Sequence, residues 1–145
     1  MCSSDLYNMF DRHIERGLFP VLDEIGVGSI VFSPLAQGML TDRYLHGIPD
    51  DSRAATGRWI TAKNISGAYL ERVTGLDAIA KERGQTLAQL ALTWVLRHPE
   101  VTSALIGASS VAQLESSLGA AKAAPLTDAE LAAIEPLAVH GTERG

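Results

Sequence analysis

Residues 101–118 constrain this chain more than any other stretch. Val101-Thr-Ser-Ala-Leu-Ile106 is β-branched or small and apolar, without a charge, which is the composition of a strand buried on both faces of a parallel sheet. Gly107 then permits a tight turn or a close approach of the backbone to a ligand. Ser110 with Gln113 three residues on has the spacing of a capping box and predicts a helix start. Val111, Leu114 and Leu118 give that helix an apolar stripe. A strand running through a Gly-Ser turn into a helix N-terminus aims N–H groups at one spot, which favours an anion such as phosphate. The same residues also describe a capped strand–turn–helix that binds nothing, which on this stretch alone is the commoner case.

The rest of the chain repeats the strand-then-helix theme. Phe10, Ile14, Leu18, Val21, Leu22 and Ile25 follow helical spacing, with interruptions expected near Gly17 and Pro20. Residues 27–32 read as a second uncharged, buried strand, stopped by Ser33-Pro34. Residues 33–63 lack helical periodicity, and a loop of that length inside a domain is usually functional. Its arginines, Arg43, Arg53 and Arg58, suggest an anionic ligand in an otherwise acidic chain, or equally a set of solvated charges. Helices are predicted over 68–83, from Thr86 to His98-Pro99, and from Thr127, whose Thr-Asp-Ala-Glu forms a capping box. Strands alternating with helices imply parallel pairing, and two strands cannot cover their own edges. The pattern is part of a larger α/β sheet or barrel.

Residues 1–6 share none of this patterning and are expected to be a non-native leader, with the chain a fragment shortened at its N-terminus. Residues 7–139 form the expected partial domain, and 140–145 a frayed tail. The formal net charge of −5 argues against nucleic-acid and anionic-membrane surfaces. A lone Cys2 excludes an internal disulfide, and the four histidines show no metal-ligand spacing. Without a signal pattern or a spanning apolar run, the expected location is cytoplasmic, with no membrane partner.

Taken in order, Tyr7-Asn8-Met9-Phe10, Ser33-Pro34-Leu35-Ala36-Gln37-Gly38, Gly47-Ile48-Pro49 with Ser52-Arg53, and Leu105-Ile106-Gly107-Ala108-Ser109 with Gln113-Leu114-Glu115 resemble the aldo-keto reductases. The resemblance is to the branch that holds the bacterial L-glyceraldehyde 3-phosphate reductases and the potassium-channel β subunits, and it runs from Tyr7 to about Leu137. It implies an α/β fold, the C-terminal part of a (β/α)8 TIM barrel. Tyr7 would end the sixth strand, with residues 27–32 the seventh and 101–106 the eighth.

The resemblance also implies an NADP-dependent oxidoreductase acting on small aldehydes. Phe32, Ser33, Pro34, Leu35, Ala36 and Gln37 would lie along the nicotinamide and pyrophosphate, with Arg43 and Arg53 as a basic clasp. Gly107, Ser109 and Gln113 would hold the adenosine 2′-phosphate end. Where relatives place Glu-Asn at the adenine, this chain has Ser116-Ser117, which makes Ser117 the corresponding contact. Many relatives have arginine where Ser110 stands, and the expected carboxamide glutamine is Ser4. The catalytic Asp, Tyr, Lys and His come from earlier strands and none maps here. Tyr7, Tyr44 and Tyr69 are not the proton donor, and the fragment alone is expected to be inactive.

Two other classes compete. A non-catalytic, cofactor-sensing subunit like the channel β subunits would share all these motifs, and homo-oligomerisation of the full-length protein stays open. Residues 84–91 look like part of a helix–turn–helix, but the lack of basic residues through 86–95 counts against a nucleic-acid partner.

Overall fold

Three parallel strands organise the structure, a computed structural model that describes residues 2–50, 52–57 and 60–139. Strand β1 (Cys2–Leu6) leads through helix α1 (Ile14–Ile25) to β2 (Gly28–Phe32). A long segment follows, with 3-10 turns at Ala36–Gly38, Asp42–Tyr44 and Ala62–Asn64 and one helical turn, α2 (Arg53–Thr56). Helices α3 (Gly67–Glu82) and α4 (Leu87–Val95) precede β3 (Val101–Leu105), and α5 (Val111–Leu118) and α6 (Asp128–Ile134) come after it. The sheet order is β1-β2-β3. The two uncharged strands pair in parallel as neighbours, as their composition predicts.

The third strand is one that the sequence pattern does not announce. Residues 2–6, set apart as a leader, pair in parallel with β2 from Cys2 opposite Gly28 to Leu6 opposite Phe32. Cys-Ser-Ser-Asp-Leu carries little strand propensity, so its conformation is supplied by the ladder rather than by the residues. The predicted frayed tail, 140–145, lies outside the described residues.

Helix limits follow local chemistry. The expected start of α1 near Phe10 moves to Ile14, because Asn8 and Asp11 exchange backbone hydrogen bonds and the Asn8 side chain accepts from the Phe10 N–H at 2.8 Å. That tight turn holds the intervening residues out of the helix. No break follows, and Pro20 sits inside α1 on an exposed position. Its missing hydrogen bond is offset by Ile14, Phe19 and Leu22, buried on the opposite side. Thr86 and Thr127 each form a reciprocal capping box, with Gln89 and Glu130. Gly84, at a φ of 68°, takes the left-handed turn that closes α3.

One face of the sheet is covered and one is open. Ser29, Val31, Val101 and Ala104 pack toward the helices, whereas Ile30, Phe32 and Leu105 are exposed. The expectation of strands buried on both faces is therefore corrected, since helices cover a single side. The stripe Val111, Leu114 and Leu118 is likewise exposed, at 72%, 42% and 54%, rather than turned inward. What α5 buries is the other flank, where Ser117 faces the protein and the Gln89 side chain donates to the Ser116 carbonyl. Helix α4 buries Leu87 and every residue from Leu90 to Val95, so the segment resembling a helix–turn–helix is a core-packed helix. Among the described residues no helix is long and apolar enough to cross a membrane.

Between β1 and the helices lies a partly buried polar knot. The Tyr7 hydroxyl donates to Glu15 at 2.6 Å and accepts from Arg97 at 2.8 Å. Arg12 donates to the other Glu15 oxygen through two nitrogens, and His98 lies 3.8 Å away from the first. Burial works against the Glu15 charge, but His98, Arg12, Tyr7 and Arg97 together hold its carboxyl well below the usual carboxylate range. Burial pushes the Tyr7 phenol up, so it stays a neutral donor.

Candidate functional site

The C-terminal ends of β2 and β3 open into a cavity of about 810 Å³. That is within the roughly 300–1,000 Å³ common for small-molecule clefts. Phe32, Ser33, Pro34, Leu35, Gln37 and Arg43 line one wall, and Gly107, Ser109 and Gln113 the other. These are nine of the twelve residues assigned to the site from sequence. Ligands of open α/β sheets bind beyond the carboxyl ends of the strands, which is where the parallel pairing of β2 and β3 brings both loops.

Two assigned residues, Ala36 and Ser117, stand apart from this lining. Ala36 packs behind the turn against the core. The Ser117 hydroxyl donates to the Gln113 carbonyl at 2.9 Å within α5, because a helical serine facing the protein reaches the preceding turn more readily than a cleft. Arg53 begins α2, and its side chain lies outside the described residues, as does all of Arg58.

The first wall is a wound loop held under backbone strain. Ser33, Ala36 and Gln37 are non-glycine residues with φ of 53°, 47° and 60°, in the left-handed region that disfavours a Cβ. Such strain persists only where surroundings over-determine it, and it concentrates at ligand sites. Here the Ser33 carbonyl accepts from the Ala36 N–H at 3.0 Å, the Leu35 carbonyl accepts from Gly38 and Leu40, and Thr41 donates to the Gly38 carbonyl at 2.7 Å. Below the loop, the buried Tyr69 hydroxyl donates to the Met39 carbonyl at 2.7 Å. Burial, with Tyr44 beside it, pushes that phenol above its ordinary range.

The second wall differs from the predicted capping box. Ser110 accepts from the Gln113 N–H at 3.2 Å, as expected of an N-cap. The Gln113 side chain, however, turns past Ser110 and accepts from the Ser109 N–H at 2.7 Å and the Ser109 hydroxyl at 3.0 Å. Gln113 thus ties the turn that faces the cavity instead of closing the helix cap. Sequence reasoning also passed over Gly38, Thr41, Tyr44, Leu105, Ile106 and Ala108 as lining. Thr41 carried a legible signal, since Thr before Asp-Arg is an N-cap pattern, and it accepts from the Arg43 N–H.

Hydroxyl and amide donors beside Arg43 suit phosphate oxygens, and the half-exposed Phe32 ring at the strand end suits a flat heterocycle. The model for the aldo/keto reductase family matches residues 2–138. The chain belongs to that family. It is 43% identical over 134 residues to L-glyceraldehyde 3-phosphate reductase from Escherichia coli K12, covering 89% of this chain and 39% of the relative. Over 124 residues it is 40% identical to a probable voltage-gated potassium channel subunit beta from Arabidopsis thaliana, covering 83% and 38%. The solved structure of a glycerol dehydrogenase from Gluconobacter oxydans matches with a TM-score of 0.77 at 25% identity, over 94% of this chain and 41% of that one. The chain therefore spans about 39% of the length of the curated relatives it matches.

Proposed function

We propose that this chain is the C-terminal, cofactor-binding portion of an NADP-dependent aldo-keto reductase that reduces small aldehydes of the glyceraldehyde 3-phosphate kind. The observation that carries the reading is the convergence of the Ser33–Gly38 turn, Arg43 and the Gly107–Gln113 turn on one cavity at the strand ends. A dinucleotide phosphate needs that combination of an apolar flat surface, hydroxyl donors and a cation. When bound, its reduced nicotinamide supplies hydride to a carbonyl carbon.

Each residue then has a part. Phe32 offers its exposed ring to the nicotinamide, and Ser33, Thr41 and the backbone of the wound loop hold the pyrophosphate. Arg43, with Arg53 beyond it in sequence, neutralises phosphate charge. Gly107 leaves open space where a side chain would stand, and Ser109 presents its hydroxyl on the turn fixed by Gln113. The adenine end lacks a basic residue at Ser110, so preference for NADP over NAD rests on Gly107, Ser109 and Gln113 at the 2′-phosphate. In the longer relatives the open sheet face with Ile30, Phe32 and Leu105 would be turned into a barrel interior, making β1, β2 and β3 the sixth, seventh and eighth strands.

No residue of this chain takes the catalytic acid role, so it should bind cofactor without turning over. The test pairs a fluorescence titration of the purified chain with NADPH with an assay of NADPH oxidation by glyceraldehyde 3-phosphate, beside size-exclusion chromatography. Saturable binding without turnover supports the reading. Turnover by a clean monomer would show that the acid is present and misassigned. A second reading, a cofactor-sensing partner subunit, is favoured by the likeness to the Arabidopsis channel subunit. The aldehyde assay on the longer protein separates the two, because a sensor binds NADPH and leaves the aldehyde unreduced.

A further inference from the structure

Asn8 stands outside the cavity, yet it is bonded to the most constrained point of the cavity's wall. It is 3% exposed, and its Nδ2 donates to the Ser33 carbonyl at 3.0 Å. Its Oδ1 accepts from the Phe10 N–H, and its backbone exchanges two hydrogen bonds with Asp11. Both ends of the amide are committed, so the orientation of the donor is fixed by its neighbours. The Ser33 carbonyl that it holds belongs to a residue at a φ of 53°, directly before Pro34. That same carbonyl accepts from Ala36, itself in the left-handed region.

We infer that Asn8 is a positioning residue for the cofactor site, acting through Ser33 to keep the strained Ser33–Gly38 turn in its binding shape. Non-glycine residues leave the left-handed region when nothing opposes them, and the Asn8 donor opposes that relaxation from beneath the sheet end. The role rests on the reading of the cavity as a dinucleotide site, and it adds a residue that touches no part of the ligand. It also ties that site to β1, since Asn8 follows Tyr7 at the end of that strand.

The experiment uses the whole chain and two variants. Asn8→Ala removes the amide, and Asn8→Asp keeps the volume and the oxygen that accepts from Phe10 while removing the donor. Amide hydrogen exchange of Ala36 and Gly38 is read without any ligand, and NADPH affinity is read by titration. Both variants should speed exchange at those two amides. Both should also raise the NADPH dissociation constant roughly five- to tenfold, the worth of one buried hydrogen bond. Placing Ser33→Gly beneath them should shrink that loss, because glycine adopts the left-handed conformation without restraint. A residue that merely stabilises the fold would show the same loss with Ser33 or Gly at that position. Unchanged exchange in the Asn8→Asp chain overturns the inference, and so does faster exchange with unchanged affinity. If the unaltered chain binds no NADPH, the cofactor reading falls, while the exchange data still decide whether Asn8 holds the turn.

Discussion

The guanidinium of Arg97 lies over the Trp94 indole, 3.6 Å from the ring centroid. Tyr7 stacks on the same indole at 5.3 Å, and Arg97 donates to both the Tyr7 hydroxyl and Glu15. One arginine thereby fastens the end of β1 to α1 and to the C-terminal end of α4. The strand end it fastens is the one from which Asn8 reaches the Ser33 turn.

Replacing Arg97 by Met should therefore cost more than an ordinary surface charge. Its side chain is 17% exposed, so water softens but does not remove the penalty of taking one donor from Glu15, which keeps Arg12 and Tyr7, and the donor to the Tyr7 oxygen. A loss of about 2–3 kcal/mol is expected, at the upper end for a charge-assisted hydrogen bond. Arg97→Lys should recover little of it, because an ammonium cannot stack on the indole while bridging two oxygens. Urea denaturation of the three proteins checks this. Equal midpoints would mean that the knot contributes nothing.

Acid should weaken the protein in a window set by Glu130. Hydrogen bonds from Thr127 and Arg83 lower its carboxyl from 4.5 to about 2 in the folded chain. A folded pKa below the unfolded one means the carboxylate's contribution is complete above pH 4.5 and disappears as pH falls through about 2. Glu130→Gln keeps an acceptor for the capping box but removes the titration. Urea midpoints stepped from neutral pH to pH 2 should fall less steeply in that variant, and parallel curves would contradict the assignment.

Much of this was legible in the residues because it is local. Thr86, Thr127 and Gly84 announce helix ends through contacts within a turn or two, and the uncharged runs of β2 and β3 announce parallel pairing. The cavity walls were legible through the resemblance, since the motif at Ser33–Gly38 and that at Gly107–Gln113 are contiguous in sequence. What stayed hidden depends on distant partners. Cys2–Leu6 is a strand only because β2 lies beside it, and the exposure of Val111, Leu114 and Leu118 depends on which flank of α5 meets α4. The role of Asn8 joins residues 25 positions apart, so no periodicity reports it.

Two glycines should respond oppositely to the same change. A Cβ on Gly28 would stand 1.8 Å from Thr102 Oγ1, where the β2–β3 register shifts and Thr102 is bulged. Gly17, inside α1, faces open space at an ordinary φ. Gly28→Ala should destabilise by about 1–3 kcal/mol through overpacking. Gly17→Ala should stabilise by about 0.5–1 kcal/mol by removing unfolded-state freedom from a helical position. Thermal melts decide the signs, and a stabilising Gly28→Ala would show that Thr102 yields without cost.

Arg43 carries the remaining prediction because, among the described side chains, it is the cation that lines the cavity. Its backbone is fixed by the Thr41 cap, so the guanidinium leaves the loop from a defined place rather than from a free coil. If it meets a phosphate, Arg43→Ala should weaken NADPH binding by about 1.5–3 kcal/mol, which is roughly ten- to a hundredfold in the dissociation constant. Arg43→Lys should fall between, keeping the charge but losing the bidentate fork. Salt supplies an internal control, since a partly exposed charge contact is screened within about 10 Å at ordinary ionic strength. Raising the salt concentration should weaken binding to the unaltered chain more than to Arg43→Ala, drawing the two titrations together. Arg53→Ala, measured in parallel, tests whether the clasp has a second member. Identical dissociation constants and identical salt dependence in the Arg43→Ala and unaltered chains would remove Arg43 from the site.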